Sequence, residues 1–499
     1  MDLYYLRIEG INLSSVLYDT PQISVIRGAS YLLRNATTEL PELIKQYSQS
    51  TIELEPVSTG ASVGLYRCMT NNHDALVKGV ENILKHHDQY RYFTFVVDAV
   101  KASESYTHTL EELVALNRWQ QMQSPSLSLQ DLNKSSTEPC SWNGILPSDH
   151  YFLYKNDNKQ SVSKSVHVRF MAGRELRSSF YTKEAGEEFS SYQFTDDLHQ
   201  LSGFSDKHNL NEKIAVIYVD GNRFGKLQRE QCKTEESLKN FDETMRGFRK
   251  EYLADFLRYI QNHPEYNTAD HKLRLEILLW GGDEILLVVP AWCGLDALSF
   301  FFEKSRHWTF NKLPLTHSAG IVFSHDKTPI KRLSDLAKDL AENVKDELPN
   351  QSPIDLHAMR NGFDYLVLES VDYPTESLTA FRTKVFQEPL IKIRKTLAPP
   401  DCHLLQRLTN ILTDIPKGQC HTLVKSIIQE QSLSGRAEQA LLRLQAVTEK
   451  DQINKLQGVL AENLQDIFEQ NIRQEWQWIH LLELWDYFPG RSVKGVSGA

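Results

Sequence analysis

The chain has 499 residues and a formal net charge of −10, with 41% apolar and 24% charged residues, values ordinary for a globular protein of about three domains. No apolar run approaches the roughly 18 residues that span a bilayer, and the N-terminus MDLYYLRIEG lacks the basic and apolar regions of a signal peptide, so a cytoplasmic protein without membrane contact is expected. The acidic balance excludes a generic, whole-surface affinity for nucleic acid, and six scattered cysteines without a CxxC pair exclude a disulfide framework and an ordinary zinc ribbon.

Residues 1–105 alternate strands and helices. Leu3–Ile8 reads as a short strand, Ile23–Asn35 as a helix that Glu39–Ser48 continues, and Ile52–Val57 and Val63–Cys68 as strands joined by a turn at Ser58–Ser62. Ala75–His86 reads as an amphipathic helix and Tyr92–Val100 as a strand rich in aromatic and β-branched residues. Residues 106–209 change character, as in SPSLSLQDLNKSSTEP at 124–139. They read as linker and insertion, with strand-like pieces at 150–154 and 165–171.

Residues 210–372 return to alternation. Ile214–Val219 is a buried strand ending in Asp220-Gly221, and a long helix runs from about Leu238 to Ile260. Leu273–Leu279 and Ile285–Val289 are apolar strands joined by Trp280-Gly281-Gly282-Asp283-Glu284. Helix Leu295–Arg306, strand Thr316–Phe323 and amphipathic helix Ile330–Lys345 follow. Residues 373–499 read as entirely helical, for example at Leu423–Ser432, Ala437–Val447 and Glu475–Phe488. Trp476, Trp478 and Trp485 in the last stretch point to helix packing or to a partner-binding face, and Cys402-His403 and Cys420-His421 read as half-buried helix residues.

The two alternating regions can be superposed. Glu9-Gly10 and Asp220-Gly221 each end a first strand, and Gly60-Ala61-Ser62 falls where Gly282-Asp283-Glu284 falls. Asp74-Ala75-Leu76 then matches Asp296-Ala297-Leu298, 15 residues separating Gly60 from Ala75 and Gly282 from Ala297. The expected fold is α+β: two ferredoxin-like domains related by internal duplication (1–105 and 210–372), an insertion between them (106–209) and a C-terminal all-helical domain (373–499). A divalent cation prefers several hard oxygen ligands. Ala61 and Ser62 offer too few, so the first copy is expected to be silent.

Nucleotidyl transfer asks a protein mainly for carboxylates that converge on metal ions, which neutralise phosphates and activate a hydroxyl. Asp220 ends one buried strand, and Asp283 and Glu284 sit at the tip of a hairpin expected to pair beside it. These three are the candidate catalytic and metal-ligating residues. Gly281 and Gly282 permit the positive φ of a tight hairpin and leave room above it, while Gly221 and Gly225 let backbone amides approach a triphosphate. Alone, a GGDE turn also fits a plain exposed hairpin, because Asp and Gly favour turns. Asp220, ending an apolar strand, is the partner such a turn does not need.

At these residues the sequence resembles GGDEF-type nucleotide cyclases and, more closely, the polymerase palm of the large subunit of type III CRISPR effector complexes. YVDGNRFGK (218–226) resembles the first metal motif of that subunit, HSAGIVFSHDKTPI (317–330) its strand and loop after the hairpin, RGASYLL (27–33) a helix of its first palm, and LAKDLAENVK (336–345) a helix ending in a phosphate-contacting lysine. The resemblance implies two palm domains and conversion of ATP into cyclic or linear oligoadenylate messengers in antiviral defence. Asp220 and Asp283 would ligate two Mg²⁺ or Mn²⁺ ions with Glu284 in support, and Lys345 would bind triphosphate. Asn222, Ser318, His325 and Lys327 would contact nucleotide or phosphate. Expected partners are a nucleoside triphosphate, other effector subunits and guide or target RNA.

The sequence departs from that family in three places. GGDE replaces the usual GGDD. His73-Asp74, His87-Asp88 and His325-Asp326 lack the helical context of an HD nuclease, so no DNA-cleaving domain is expected. The insertion holds only Cys140, so no zinc is expected there. The competing functions are an architectural scaffold in an RNA-guided complex and a diguanylate cyclase-like enzyme.

Overall fold

Alternating apolar and polar residues draw Asp2–Ile11 into a ten-residue strand, β1. The elements after it are α1 Ser14–Leu17, α2 Ile23–Thr38, α3 Leu40–Tyr47, β2 Glu55–Thr59, β3 Val63–Thr70, α4 His73–His86, β4 Thr94–Lys101 and α5 Tyr106–Gln123. A ribbon of β5 His150–Tyr154 and β6 Asn158–Val162 follows, then α6 Lys164–Ala185 and α7 Leu198–Ser202. The chain continues through β7 Lys213–Gly221, α8 Phe224–Gln231, α9 Glu235–Gln261, β8 Glu276–Gly281, β9 Glu284–Pro290 and α10 Gly294–Ser305. Next are β10 Thr309–Phe310, β11 Leu313–Pro314, β12 His317–His325, α11 Ile330–Asp346 and β13 Gly362–Val367. Helices α12 Leu378–Phe386, α13 Glu388–Ile391, α14 Cys402–Leu412, α15 Lys417–Gln429 and α16 Gln474–Glu483 complete it. This computed structural model describes residues 1–47, 53–60, 62–124, 138–154, 158–203, 208–348, 359–369, 374–412, 417–429, 442 and 474–488. Among them no helix is long and apolar enough to cross a membrane.

The chain forms two compact units. The first comprises Met1–Tyr192, Arg223–Ala254 and Ile277–Glu284, and the second Gln193–Asn222, Asp255–Glu276 and Ile285–Ala499. In the first, an antiparallel sheet runs β2-β3-β1-β4, with Leu6 of β1 opposite Tyr66 of β3 and Ala99 of β4. Leu6, Ile8, Ala29, Leu32, Leu33, Val80, Leu84 and Val97 form its core. Helix α5 was expected to lie in the insertion. It packs on β4 instead, with Leu113 fully buried and Asn117 donating to the buried Asp98 at 3.0 Å.

Residues 165–171 are not a strand but the start of the 22-residue helix α6. Ser163 caps it, accepting from the Val166 amide, and Val166, Arg169, Phe170, Gly173, Arg177 and Phe180 recur at helical spacing on its buried face. Tertiary packing overrides the strand preference of VHVRF. Gly28 of α2 and Gly173 of α6 make the helix crossing possible, because a Cβ on either would lie within 2 Å of a backbone carbonyl oxygen of the other helix. Arg169, 1% exposed, adds a bidentate pair to Asp19 at 2.8 and 2.7 Å.

In the second unit β7 is buried along nearly its whole length. It lies between β12 and β9 in a sheet whose order is β13-β12-β7-β9, and the local hairpin continues from β9 to β8. Helix α11 covers this sheet at close range: a Cβ on Gly320 of β12 would lie 2.0 Å from the Ala337 carbonyl oxygen. Strand β13, which the apolar pattern did not reveal, runs parallel to β12. Its Asp364 is fully buried and accepts from Arg382 at 2.8 and 3.0 Å and from Arg394 at 3.2 Å. These cations outweigh the burial that would raise its pKa and hold the carboxyl well below the usual range.

The described elements after β13 are all helices, but the segment between α13 and α14 was not expected: it is not helical, and Leu397 forms a β-bridge with Phe363 of β13. The predicted extension of α15 to Ser432 and the helix at Ala437–Val447 lie outside the described residues, Leu442 apart. Trp476, Trp478 and Trp485 are core residues, each at most 1% exposed, and Trp476 donates its indole N–H to the Leu390 carbonyl at 2.8 Å. Among the described residues Cys420 is buried and the Cys402 thiol lies 3.1 Å from the Ser299 hydroxyl.

Candidate active site

The second unit gathers five of the expected site residues at one end of its sheet. The run IAVIYV buries β7 and brings Asp220 to the strand's last turn of pleat, where its side chain is 12% exposed. Strand periodicity puts Tyr218 on the same face, and its hydroxyl approaches Asp220 Oδ2 at 3.4 Å. The same Oδ2 receives the Lys345 ammonium from α11. Lys345 also donates to Glu342, one helical turn back, at 2.9 Å. Burial alone would lower the Lys345 pKa, but hydrogen bonds and charge from Asp220 and Glu342 outweigh it and hold the ammonium above its ordinary value. Lys338, two turns before Lys345 and on the same helix face, lies 5.2 Å from the centre of the Tyr218 ring.

Beyond Asp220 the chain turns sharply. Gly221 stays in the ladder opposite His317, and Arg223, rather than a glycine, takes the left-handed conformation (φ 59°) that starts α8. Asn222 is 4% exposed and fully engaged. It accepts from the Ser318 hydroxyl at 2.6 Å and donates to Thr316 Oγ1 at 3.1 Å and to the Arg360 carbonyl at 3.0 Å. Ser318, opposite Asp220 in the β7–β12 ladder, is fully buried. The two side chains therefore brace the turn after Asp220.

His325 and Lys327 fall elsewhere. His325 pairs in register with Lys213, at the opposite end of β7 from Asp220. Seven residues at about 3.3 Å each separate the two positions by roughly 23 Å. His325 is engaged there with Glu212 at 3.2 Å and Asp326 at 2.9 Å.

The hairpin turn belongs to the first unit. Gly282 has φ +58° and open space where a Cβ would be, whereas Gly281 ends β8 without positive φ, so only one of the two glycines is required by backbone conformation. Arg249 of α9, buried, donates to the Gly282 carbonyl. Trp280 is fixed by its indole N–H to Glu184 at 2.9 Å and by stacking with Tyr252. Asp283 and Glu284 are partly exposed at the turn, and Gly225 is exposed on α8. The division between the units falls at the Glu284–Ile285 bond. Past it, Ile285 pairs with Val219, the last pair of the β7–β9 ladder, so Glu284 and Asp220 are the next residues along their strands.

Sequence reasoning missed Arg249, Tyr218, Lys338 and Glu342. The last three had a signal in the spacing, since Tyr218 is two residues from Asp220 on a strand and Lys338 and Glu342 share a helix face with Lys345. Arg249 had none. Among the described residues no group of three or more His, Cys, Asp or Glu side chains is gathered to hold a metal ion. Mg²⁺ is nonetheless ordinarily held by one or two carboxylates together with substrate phosphates and water, not by an all-protein cage. A largely buried hard-oxygen carboxylate already carrying a cation suits that mode.

A sheet built on the antiparallel strands β12, β7 and β9, with a helix over it and a carboxylate at the end of its first strand, is the architecture of a palm domain. Residues 213–352 match the family described as Cas10/Cmr2, second palm domain. Over 333 residues the chain is 25% identical to the CRISPR system single-strand-specific deoxyribonuclease Cas10/Csm1 (subtype III-A) of Streptococcus thermophilus, covering 62% of this chain and 38% of that protein. Two solved Csm1–Csm4 cassettes share the fold. The one in complex with cA4 gives a TM-score of 0.50 at 14% identity, covering 98% of this chain and 70% of that one. The apo cassette gives 0.50 at 12% identity, covering 97% and 70%. The 213–352 segment is thus a Cas10/Cmr2-type second palm domain, and the chain resembles the large subunit of type III CRISPR effector complexes.

Proposed function

We propose that this chain is a metal-dependent nucleotidyltransferase that converts ATP into linear or cyclic oligoadenylate messengers within an RNA-guided antiviral effector. The observation that carries this reading is Asp220 at the end of β7, buried and bearing the Lys345 ammonium, inside a segment that matches a Cas10/Cmr2 second palm domain. Asp220, Asp283 and Glu284 would hold Mg²⁺ or Mn²⁺, which supplies charge neutralisation of the triphosphate and activation of the attacking hydroxyl. The chain's own residues do the rest. Lys345 offers its ammonium to a phosphate oxygen, and Gly282, without a side chain, leaves access above the turn. Arg249 fixes the turn through the Gly282 carbonyl, while Asn222 and Ser318 keep the backbone at Gly221 in place for the phosphates.

We read residues 1–105 as a silent first palm. Its strand order, β2-β3-β1-β4, is that of β8-β9-β7-β12 in the second sheet, which supports a duplication. At the turn this copy offers Ser62 where the copy at 210–372 has Glu284, and Ala61 lies outside the described residues. Assembly with a Csm4-like subunit and with guide or target RNA is part of the same proposal.

The test is product analysis by mass spectrometry after incubating the full chain with ATP or with GTP, each with Mn²⁺, with and without RNA. The Asp283→Ala/Glu284→Ala double variant and Asp220→Asn serve as comparisons. Adenylate oligomers from the wild type and none from the variants are expected. Equal turnover by wild type and variants would remove these carboxylates from the mechanism, and cyclic di-GMP made from GTP alone would favour a diguanylate cyclase.

A further inference from the structure

The Asp220 carboxylate already has a cation on it, and that cation is tethered to the protein. Its Oδ2 receives both the Lys345 ammonium and the Tyr218 hydroxyl, and the Asp220 side chain is only 12% exposed. A carboxylate this far from water needs a positive partner. Lys345 supplies it from a flexible four-carbon stem, and that stem has a second anion within reach: Glu342 lies 2.9 Å away on the same helix and is 59% exposed. A divalent cation that takes Asp220 Oδ2 must therefore displace an ammonium, and the ammonium has somewhere to go.

We propose that Lys345 is an exchangeable counter-ion that competes with divalent metal for Asp220 and moves to Glu342 or to a substrate phosphate when metal enters. This rests on Asp220 being a metal ligand, as proposed above, and adds a coupling. Metal alone must move Lys345 off Asp220 onto a partner that water already screens. Metal arriving with a triphosphate gives the ammonium a doubly charged acceptor in its place. Metal and nucleotide then strengthen each other's binding through this one side chain, and thermodynamic reciprocity requires the effect to be equal in both directions. The site would resist loading with bare metal and fill only when substrate is present.

The experiment measures binding, not turnover. Mn²⁺ binding to the full chain is followed by electron paramagnetic resonance, with and without a non-hydrolysable ATP analogue. In the wild type the analogue should tighten Mn²⁺ binding by roughly five- to a hundredfold, the range of ordinary site-to-site coupling. Lys345→Met should bind Mn²⁺ several-fold more tightly than wild type in the absence of nucleotide, and should lose most of the coupling. Glu342→Gln, which removes the exposed alternative partner, should act in the opposite direction and weaken binding of Mn²⁺ alone. Lys345→Met binding Mn²⁺ no more tightly than wild type, or keeping the full nucleotide coupling, would overturn the proposal. Asp220→Asn separates this from failure of the underlying reading: undiminished Mn²⁺ binding in that variant means that Asp220 is not a ligand at all, whatever Lys345 does.

Discussion

Gly320→Ala tests whether the fit of α11 on β12 sets the position of Lys345. A Cβ at Gly320 would lie 2.0 Å from the Ala337 carbonyl oxygen and 2.7 Å from Leu340 Cβ, whereas Cβ atoms essentially never approach closer than 3.0 Å. The helix must then move by at least 1.0 Å, the difference between 3.0 and 2.0 Å, and the contact is backbone, which cannot swing aside as a side chain would. Overpacking of this kind costs about 1–3 kcal/mol, and the smaller backbone entropy of alanine in the unfolded chain returns about 0.4–1 kcal/mol. The expected net loss is on the order of 1–2 kcal/mol in urea unfolding of the full chain. Because α11 carries Lys345 to Asp220, and a misplacement of about 1 Å can cost on the order of a hundredfold in rate, the rate of ATP conversion should fall by more than the loss of folded protein explains. Gly79→Ala in α4 is the control. Nothing lies within 4 Å of a Cβ there, so it should gain about 0.5–1 kcal/mol with the rate unchanged. A Gly320→Ala protein as stable and as fast as the wild type would refute the argument that this close approach positions the helix.

Two further expectations concern buried charge in the second unit. Asp364→Leu leaves the buried Arg382 and Arg394 guanidinium groups without their carboxylate, so it should destabilise by about 3–5 kcal/mol in urea unfolding. Adding Arg382→Met and Arg394→Met should recover most of that, and a single-variant loss under about 1 kcal/mol would mean the cluster is not compensated as described. Since the Asp364 pKa is depressed by folding, the cluster's stabilisation is complete above the unfolded value of about 3.9 and is lost as pH falls below it. His317 is buried between Trp308 and Phe301, and burial pushes its pKa down to about 3. The unfolded chain takes up a proton below pH about 6.5 that the folded chain refuses, so this residue should remove about 1.4 kcal/mol of stability per pH unit as pH falls from 6.5 towards 3. Unfolding free energies at pH 7, 6 and 5 should fall relative to His317→Phe, by about half that slope from pH 7 to 6 and nearly all of it from 6 to 5, and parallel curves would contradict it.

Much of the second sheet could be read from the amino acids in order. The runs 214–219 and 285–289 are too apolar to be anything but central strands, and both were placed to within two residues. The helix over Ile330–Lys345 ends one residue later than its periodicity indicated. Asp220 at a strand end, the two-glycine turn and the terminal lysine of that helix were all visible for the same reason: apolar periodicity and turn chemistry act over a few neighbouring residues. Where contacts from afar decide the conformation, local reading failed. VHVRF has the composition of a strand, but Gly173 meets Gly28 and Arg169 meets Asp19, about 150 residues away, and the segment is a helix. FDYLV carries an aspartate whose burial no local pattern foretells, because Arg382 and Arg394, which compensate it, lie 18 and 30 residues further on.

Sequence alone, then, singled out candidates for phosphate chemistry: hard carboxylates at strand ends, a bare glycine turn and a lysine at a helix end. Tertiary structure decided which of them meet. It brought Lys345 to Asp220 across 125 residues, spent Ser318 on Asn222, and sent His325 to the far end of the strand, because ladder register and the compensation of buried charge are long-range constraints that no local pattern encodes.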